Sequence, residues 1–345
     1  MSSQSAVAVI GGGSWGTALA IYLSRLGIGP RLWIYEAPLV ELIRSRRENS
    51  WYLPGVTLPG SLTPTNDLAE ALNGVELAIL AVPSHVFRQV LAEAVRWISP
   101  KTNLLSATKG LDTDGPYRMS QILGELAPGC PIAVLSGPTF AREVAVGQPT
   151  AAVVASSDAA VSARLQQRLS SREFRLYTNG DTVGVEFAGA VKNVMAIATG
   201  LSDGLGLGEN ARAALITRGL AEIARLGVAL GARPATFAGL AGMGDLVLTC
   251  TGALSRNRRL GLDLAAGRRL DEAQAETRMV AEGVRTVTSV LTLARRIGVS
   301  MPISQEVAAV LFEGKPPRDA LTSLLQREVR AEEESLSERI LSGGR

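Results

Sequence analysis

The sequence predicts an α/β protein with a doubly wound, largely parallel sheet in its N-terminal part and an all-helical C-terminal part. Three observations carry this. Short apolar runs rich in Val and Ile alternate with helical stretches up to about residue 180. A glycine-rich turn, Gly11-Gly12-Gly13-Ser14-Trp15-Gly16, separates the first of these runs from the first helical stretch. Beyond Asn179-Gly180 the apolar spacing becomes helical almost throughout.

Ala6–Ile10 reads as a buried parallel strand, because it is apolar without alternation. After the glycine turn, Ala18, Leu19, Tyr22, Leu23 and Leu26 share one helical face, and Gly27, Gly29 and Pro30 end that helix. Arg31–Tyr35 is the second strand and Glu36 stands at its end, which completes a βαβ unit. Further strands are expected at Leu77–Val82, Asn103–Ala107, Ile132–Leu135, Ala151–Ala155 and Phe174–Tyr177. Val86–Trp97 and Ala159–Ser170 are among the helices between them. In the second part, helices fit Val183–Gly200, Glu209–Leu230, Asn257–Ala266, Val287–Arg296, Ser304–Phe312 and Pro317–Gln326. Leu215, Leu220, Ile223 and Leu226 form the inner side of the second of these. The expected division is residues 1–180, residues 181–327 and a charged tail, 328–345, read as a solvated helix and a loose end.

Composition limits the function classes. The chain has 345 residues, about two domains at roughly 150 residues each. Apolar residues make up 46%, charged residues 19%, and mean hydropathy is +0.19, which excludes a disordered chain. A net charge of +3 with 4% aromatics is no footprint for nucleic acid. Cys130 and Cys250 lie too far apart in sequence for a CxxC pair. With His85, the single histidine, they leave no set of structural zinc ligands, so no metal is expected. Met1–Ser5 lacks a basic n-region and no apolar run is long enough for a membrane span, so the cytoplasm is the expected location.

Gly11, Gly13 and Gly16 follow a strand and open a helix, the context that the dinucleotide fingerprint requires. Gly11 permits the tight turn, Gly13 the approach of a pyrophosphate, and Gly16 close helix–strand packing. The helix start adds free N–H groups and a positive dipole end. Glu36 is placed to accept from a ribose 2′-hydroxyl, which favours NAD. Arg44, Arg46 and Arg47 lie close by in sequence and suit a 2′-phosphate, although a solvated helix face explains them as well. The choice between NAD and NADP stays open.

Reduction of a ketone also needs a proton donor beside the nicotinamide. His85 follows a strand, in AVPSHVF, where either a cleft position or simple packing fits. Lys192 is the better candidate. Only four residues are lysine (Lys101, Lys109, Lys192 and Lys315), against a large majority of arginines. Lys192 sits in an apolar helix, EFAGAVKNVMAIATG, beside Asn193. Burial lowers a lysine pKa into the working range, whereas the alternative is a lysine snorkelling to water. Asp245, after the glycines of GLAGMGDLVLTC, is either a helix cap or a partner of Lys192. Ser255, Arg256 and Asn257 open a helix and suit a phosphate monoester, while Arg258 and Arg259 read as a solvated basic face.

The strings VAVIGGGSWGTALA, VPSHVF, SATKGL, SGPTFAREV, GAVKNVMAI, ENARAALITRGLAE, GMGDLVLTC and SRNRR occur in this order between about residues 7 and 320. In them the chain resembles the bacterial NAD(P)-dependent glycerol-3-phosphate dehydrogenases. The resemblance implies a Rossmann-like N-terminal domain, an all-α C-terminal domain and an active site between them. It implies reversible reduction of dihydroxyacetone phosphate to sn-glycerol 3-phosphate with NAD or NADP, feeding glycerophospholipid synthesis, and a homodimer. By position it makes Lys192 the proton donor and acceptor. Lys109, Gly137, Thr139, Asp245, Ser255, Arg256 and Asn257 fall on substrate contacts. Ser14, Trp15, Lys109, Ala141, Arg256, Val280 and Glu282 fall on cofactor contacts. Tyr35 departs from the pattern, since many members carry His or Arg there beside the adenosine ribose. Two other readings remain: a dehydrogenase of 3-hydroxy acids, against which the Ser-Arg-Asn cluster argues, and a dinucleotide sensor without turnover, against which Lys109, Lys192 and Asp245 argue.

Overall fold

The computed structural model describes residues 6–275 and 280–327, so the expected charged tail lies outside the described residues. The first part of the chain alternates strand and helix. The elements are β1 (Val7–Ile10), α1 (Ser14–Arg25), β2 (Arg31–Trp33), α2 (Ala37–Arg46), β3 (Thr63–Thr65), α3 (Leu68–Leu72), β4 (Leu77–Leu80) and α4 (Ser84–Ala94). They continue with β5 (Asn103–Ser106), α5 (Met119–Leu126), β6 (Ile132–Ser136), α6 (Ala141–Ala145), β7 (Thr150–Ala155), α7 (Ala159–Leu169) and β8 (Phe174–Asn179). The strands form one sheet in the order β3-β2-β1-β4-β5-β6-β7-β8. All neighbours are parallel except β6 and β7. Apolar clusters lie on both faces: Leu19, Leu23, Leu39 and Leu165 pack on one, and Leu72, Phe87, Leu91 and Ile122 on the other. Burial on both sides is why these strands are continuous apolar runs.

β3 is the strand that sequence reading misses. It has three residues with Pro64 in the middle, a residue that removes a ladder donor and belongs at an edge. It does form one edge of the sheet.

From Thr182 onward the described residues are helical. The elements are α8 (Thr182–Gly204), α9 (Gly208–Ala229), α10 (Pro234–Phe237), a π-helical turn (Leu240–Gly244) and α11 (Asp245–Thr251). After these come α12 (Arg256–Ala265), α13 (Leu270–Ala275), α14 (Glu282–Ile297), α15 (Pro302–Phe312) and α16 (Pro317–Leu325). α8 is the axis of this part, buried along nearly its whole length. The Asp181 carboxylate caps it by accepting from the Gly184 N–H at 2.8 Å. Ile223 and Leu226 of α9, Leu260 of α12, and Val287 and Val290 of α14 pack around it.

α8 and α12 touch backbone to backbone. A Cβ on Gly200 would lie 2.1 Å from the Arg258 carbonyl oxygen, and one on Gly261 would lie 2.3 Å from that of Ile197. No larger residue fits either position without moving a helix. Among the described residues no single helix is long and apolar enough to cross a membrane.

Candidate active site

The strand order reverses between β1 and β4, the point at which doubly wound sheets bind ligands. A cleft of about 680 Å³ opens there and extends to α8 and α12. At its sheet end Gly11 holds φ +127°, and a Cβ on it would lie 2.7 Å from the Ala81 carbonyl oxygen. A Cβ on Gly16 would lie 1.9 Å from the Gly11 carbonyl oxygen, so α1 starts in direct contact with the turn. Around Gly13 there is open space. Gly13 is the N-cap of α1 and no side chain caps that helix, which leaves first-turn N–H groups for an anion. These are the clearances that a dinucleotide pyrophosphate needs, so the residues fit NAD(P).

Ser14 and Trp15 line the cleft, and the Trp15 indole donates to the Ala107 carbonyl at 3.1 Å. Tyr35 and Glu36 line the end beyond β2, and the Tyr52 hydroxyl donates to Glu36 Oε1 at 2.6 Å. Ala141, Val280 and Glu282 also face the cleft. The Glu282 carboxylate accepts from the Ser84 N–H at 3.1 Å and from the Ser84 hydroxyl at 2.6 Å, which joins the start of α14 to the start of α4. Burial pushes the Glu282 pKa up, against the opposing pull of these bonds.

At the helical end Lys192 projects from mid-α8 and is 5% exposed. Its Nζ donates to Asp245 Oδ1 at 2.6 Å and to Thr249 Oγ1 at 2.7 Å. An ammonium has three N–H groups, so one remains for the cleft that Lys192 lines. Lys109 Nζ donates to Asp245 Oδ2 at 2.9 Å, to the Gly137 carbonyl at 2.7 Å and to Thr139 Oγ1 at 3.0 Å. All three of its donors therefore have protein partners. Asp245 is fully buried between the two lysines. It is the first residue of α11, whose N-cap is Gly244, so Asp245 acts as an ion-pair partner and not as a cap.

Ser255, Arg256 and Asn257 begin α12 at the cleft wall. The Ser255 hydroxyl caps the helix by accepting from the Arg258 N–H at 3.2 Å. The Asn257 amide donates to Asn193 Oδ1 and accepts from the Gly283 N–H, both at 3.0 Å, which fixes α12 to α8 and α14. Arg256 is exposed and its guanidinium has no direct hydrogen bond or salt bridge among the described residues, although the Glu282 carboxylate attracts it. The cleft thus joins a glycine turn for phosphates, a buried ammonium with a spare proton, and an unpaired guanidinium at a helix start.

Residues 6–162 match the family model for the NAD-dependent glycerol-3-phosphate dehydrogenase N-terminus, and residues 181–322 match that for its C-terminus. The chain belongs to the NAD-dependent glycerol-3-phosphate dehydrogenase family. A relative from Geobacter sulfurreducens named glycerol-3-phosphate dehydrogenase [NAD(P)+] is 53% identical over 330 residues, covering 94% of this chain and 98% of its own. A relative of the same name from Streptomyces coelicolor is 49% identical over 334 residues, covering 96% of this chain and 99% of its own. The crystal structure of glycerol-3-phosphate dehydrogenase from Coxiella burnetii superposes with a TM-score of 0.91 at 43% identity, covering 94% of this chain and 99% of that one. The expected fold, a Rossmann-like sheet followed by an all-α part, is the one observed.

Some details differ from the sequence reading. Arg258 is no solvated face: it pairs with the buried Asp203 carboxylate at 2.7 Å. Arg259 is exposed, as expected. The structure adds Thr249, Ser84 and Tyr52 to the residues that the sequence marks. Thr249 alone carries a signal, since it follows Asp245 by one helical turn in α11.

Burial lowers the Lys192 pKa from 10.5 to about 8; Asp245 pulls it back up and Lys109 pushes it further down. As proton donor and acceptor, Lys192 would serve ketone reduction as the ammonium and the reverse oxidation as the neutral amine. For reduction, kcat/KM is therefore expected to be flat at lower pH and to fall as pH rises through about 8. For oxidation it rises with pH up to the same value. Profiles in both directions check this, and two parallel profiles would contradict it. Because this pKa is depressed, Lys192 weakens folding below about pH 8, and that penalty disappears as pH rises toward 10.5.

Proposed function

We propose that the protein catalyses the reversible reduction of dihydroxyacetone phosphate to sn-glycerol 3-phosphate with NAD(P)H. The part up to about residue 180 would hold the dinucleotide and residues 181–327 the substrate. The observation that carries this is one cleft holding the glycine turn, the Lys192 ammonium and the unpaired Arg256. When bound, the nicotinamide supplies the hydride in one direction and accepts it in the other.

The protein's own residues do the rest. The free N–H of Lys192 gives its proton to the carbonyl oxygen during reduction, and the neutral amine takes the hydroxyl proton during oxidation. Asp245 and Thr249 aim that amine, and Lys109 holds Asp245 from its other side. A charged donor in this low-dielectric site stabilises the developing alkoxide without reorganising. Arg256 and the start of α12 hold the phosphate and thereby place the carbonyl at Lys192.

NADH and NADPH absorbance, followed after addition of dihydroxyacetone phosphate, tests the reading. Rapid loss with either cofactor supports it. No loss with both, while a dinucleotide still binds, would refute it. Arg256→Ala is expected to lower kcat/KM for dihydroxyacetone phosphate about 10- to 100-fold, the worth of a charge-assisted hydrogen bond. A phosphate-free ketone should be nearly unaffected, and an equal loss on both substrates contradicts the role. The product is a glycerophospholipid precursor, and the free cysteines Cys130 and Cys250 suit the reducing cytoplasm. The same family reading carries a homodimer, which light scattering would detect.

A further inference from the structure

We propose that the adenosine end of the cleft selects NAD(H) over NADP(H), with Glu36 as the residue that discriminates and Tyr52 as the residue that positions it. This rests on the dinucleotide reading of the cleft and goes beyond it, because NAD(P) leaves the choice open.

Glu36 lies three residues past β2 and is the N-cap of α2, the place where an acid in this fold accepts from the ribose hydroxyls. Its carboxylate does not cap α2. It lines the cleft instead, with Oε1 taking the Tyr52 hydroxyl at 2.6 Å. Among the described residues Oε2 has no donor, so it remains for a ligand hydroxyl. The bond to Tyr52 is itself anchored. Asn49 is fully buried and donates to the Gly12 carbonyl and to Thr17 Oγ1, each at 2.8 Å. Asn49 Oδ1 accepts from the Tyr52 N–H at 3.1 Å. The glycine turn therefore sets Asn49, Asn49 sets Tyr52, and Tyr52 sets the acid.

A 2′-phosphate would find little to hold it here. Arg44 donates to Glu41 at 2.8 Å and to the Pro64 carbonyl at 3.2 Å. Arg47 donates to the carbonyls of Leu58, Pro59 and Leu62. Arg46 is exposed, and none of these three arginines lines the cleft. Arg142 does line it, but its Nη1 is given to the Pro54 carbonyl at 2.8 Å. The start of α2 is a poor anion site as well. Pro38 has no N–H, and the N–H groups of Leu39 and Val40 bond the Glu36 carbonyl at 3.0 and 3.3 Å. Any phosphate there would also face the Glu36 charge. Tyr35, 78% exposed at the same end, adds a flat surface and no charge.

The test is direct binding to the intact protein, without substrate, by calorimetry. NADH and NADPH are compared, and so are 5′-AMP and adenosine 2′,5′-bisphosphate, which probe the adenosine end alone. The Kd for NADPH is expected to exceed that for NADH by about tenfold or more, with the same order for the two fragments. In Glu36→Gln the ratio should shrink to within about threefold, because the like charge is gone. In Tyr52→Phe the ratio should fall while the fold, checked by thermal midpoint, is retained. A purely structural defect would weaken both dinucleotides equally, and that result would remove Tyr52 from the argument. A wild-type ratio near or below one, or an unchanged ratio in Glu36→Gln, overturns the proposal. Failure of both dinucleotides to bind overturns the cofactor reading of the cleft, and this inference with it.

Discussion

Lys192→Ala is expected to lower kcat for dihydroxyacetone phosphate reduction by about 10³- to 10⁴-fold, at the upper end of what a positioned acid contributes. NADH binding should change little, because the glycine turn lies at the other end of the cleft from α8. The fold should tolerate the change. Asp245 keeps its 2.9 Å bond to Lys109, and the desolvation of a buried ammonium is relieved. The reduction limb near pH 8 should vanish from the residual activity, since the group that titrates there is gone. Single-turnover kinetics with a separate binding titration distinguish lost chemistry from lost affinity. Near-normal turnover would sink the assignment of Lys192 as proton donor.

Asp245→Asn keeps the shape of the site and removes its one buried negative charge between two lysines. The attraction of Asp245 is the main effect holding the Lys192 pKa up against burial. Without it, that pKa falls below its wild-type value of about 8, and the reduction limb moves to lower pH. Turnover near neutral pH is expected to drop about 10²- to 10³-fold, from lost protonation together with lost aim. Stability should fall by about 3 kcal/mol, the low end for a broken buried ion pair, because Lys192 can shed its proton. Denaturant midpoints at two pH values test the cause. The loss should be larger at pH 7 than at pH 9, where Lys192 is already neutral in the wild type. An equal loss at both would mean that the carboxylate serves packing alone.

Much of the fold was legible because buried parallel strands and amphipathic helices leave different periods in the chain. Val7–Ile10, Leu77–Leu80 and the long α8 show this. β3 was not, since three residues around Pro64 carry no period. The short helices α3, α6 and α10 fall below the length at which spacing becomes informative. The antiparallel pairing of β7 with β6 is also absent from the residues of either strand.

In the site, Lys192 stood out because lysine is scarce and its helix is apolar. Asp245 stayed ambiguous because only the approach of α8 decides between a cap and an ion pair. Ser84 and Tyr52 owe their roles to partners far along the chain. Ser84 meets a carboxylate on α14, and Tyr52 meets one at the start of α2, so nothing local marks either residue.

The glycine contact between α8 and α12 has a consequence for what the enzyme can measure. Gly200 and Gly261 bring main chain against main chain, so the spacing between the backbones of α8 and α12, which carry Lys192 and Arg256, is set by peptide geometry. With Lys192 and Arg256 in their proposed roles, that spacing would gauge the number of carbons between carbonyl and phosphate. Substituting side chains along the seam can break the gauge but cannot rescale it, because the smallest addition, a methyl group, already collides with a carbonyl. On those proposed roles chain-length selectivity would be built into the scaffold, whereas the proposed cofactor choice would hang on a few exchangeable residues around Glu36.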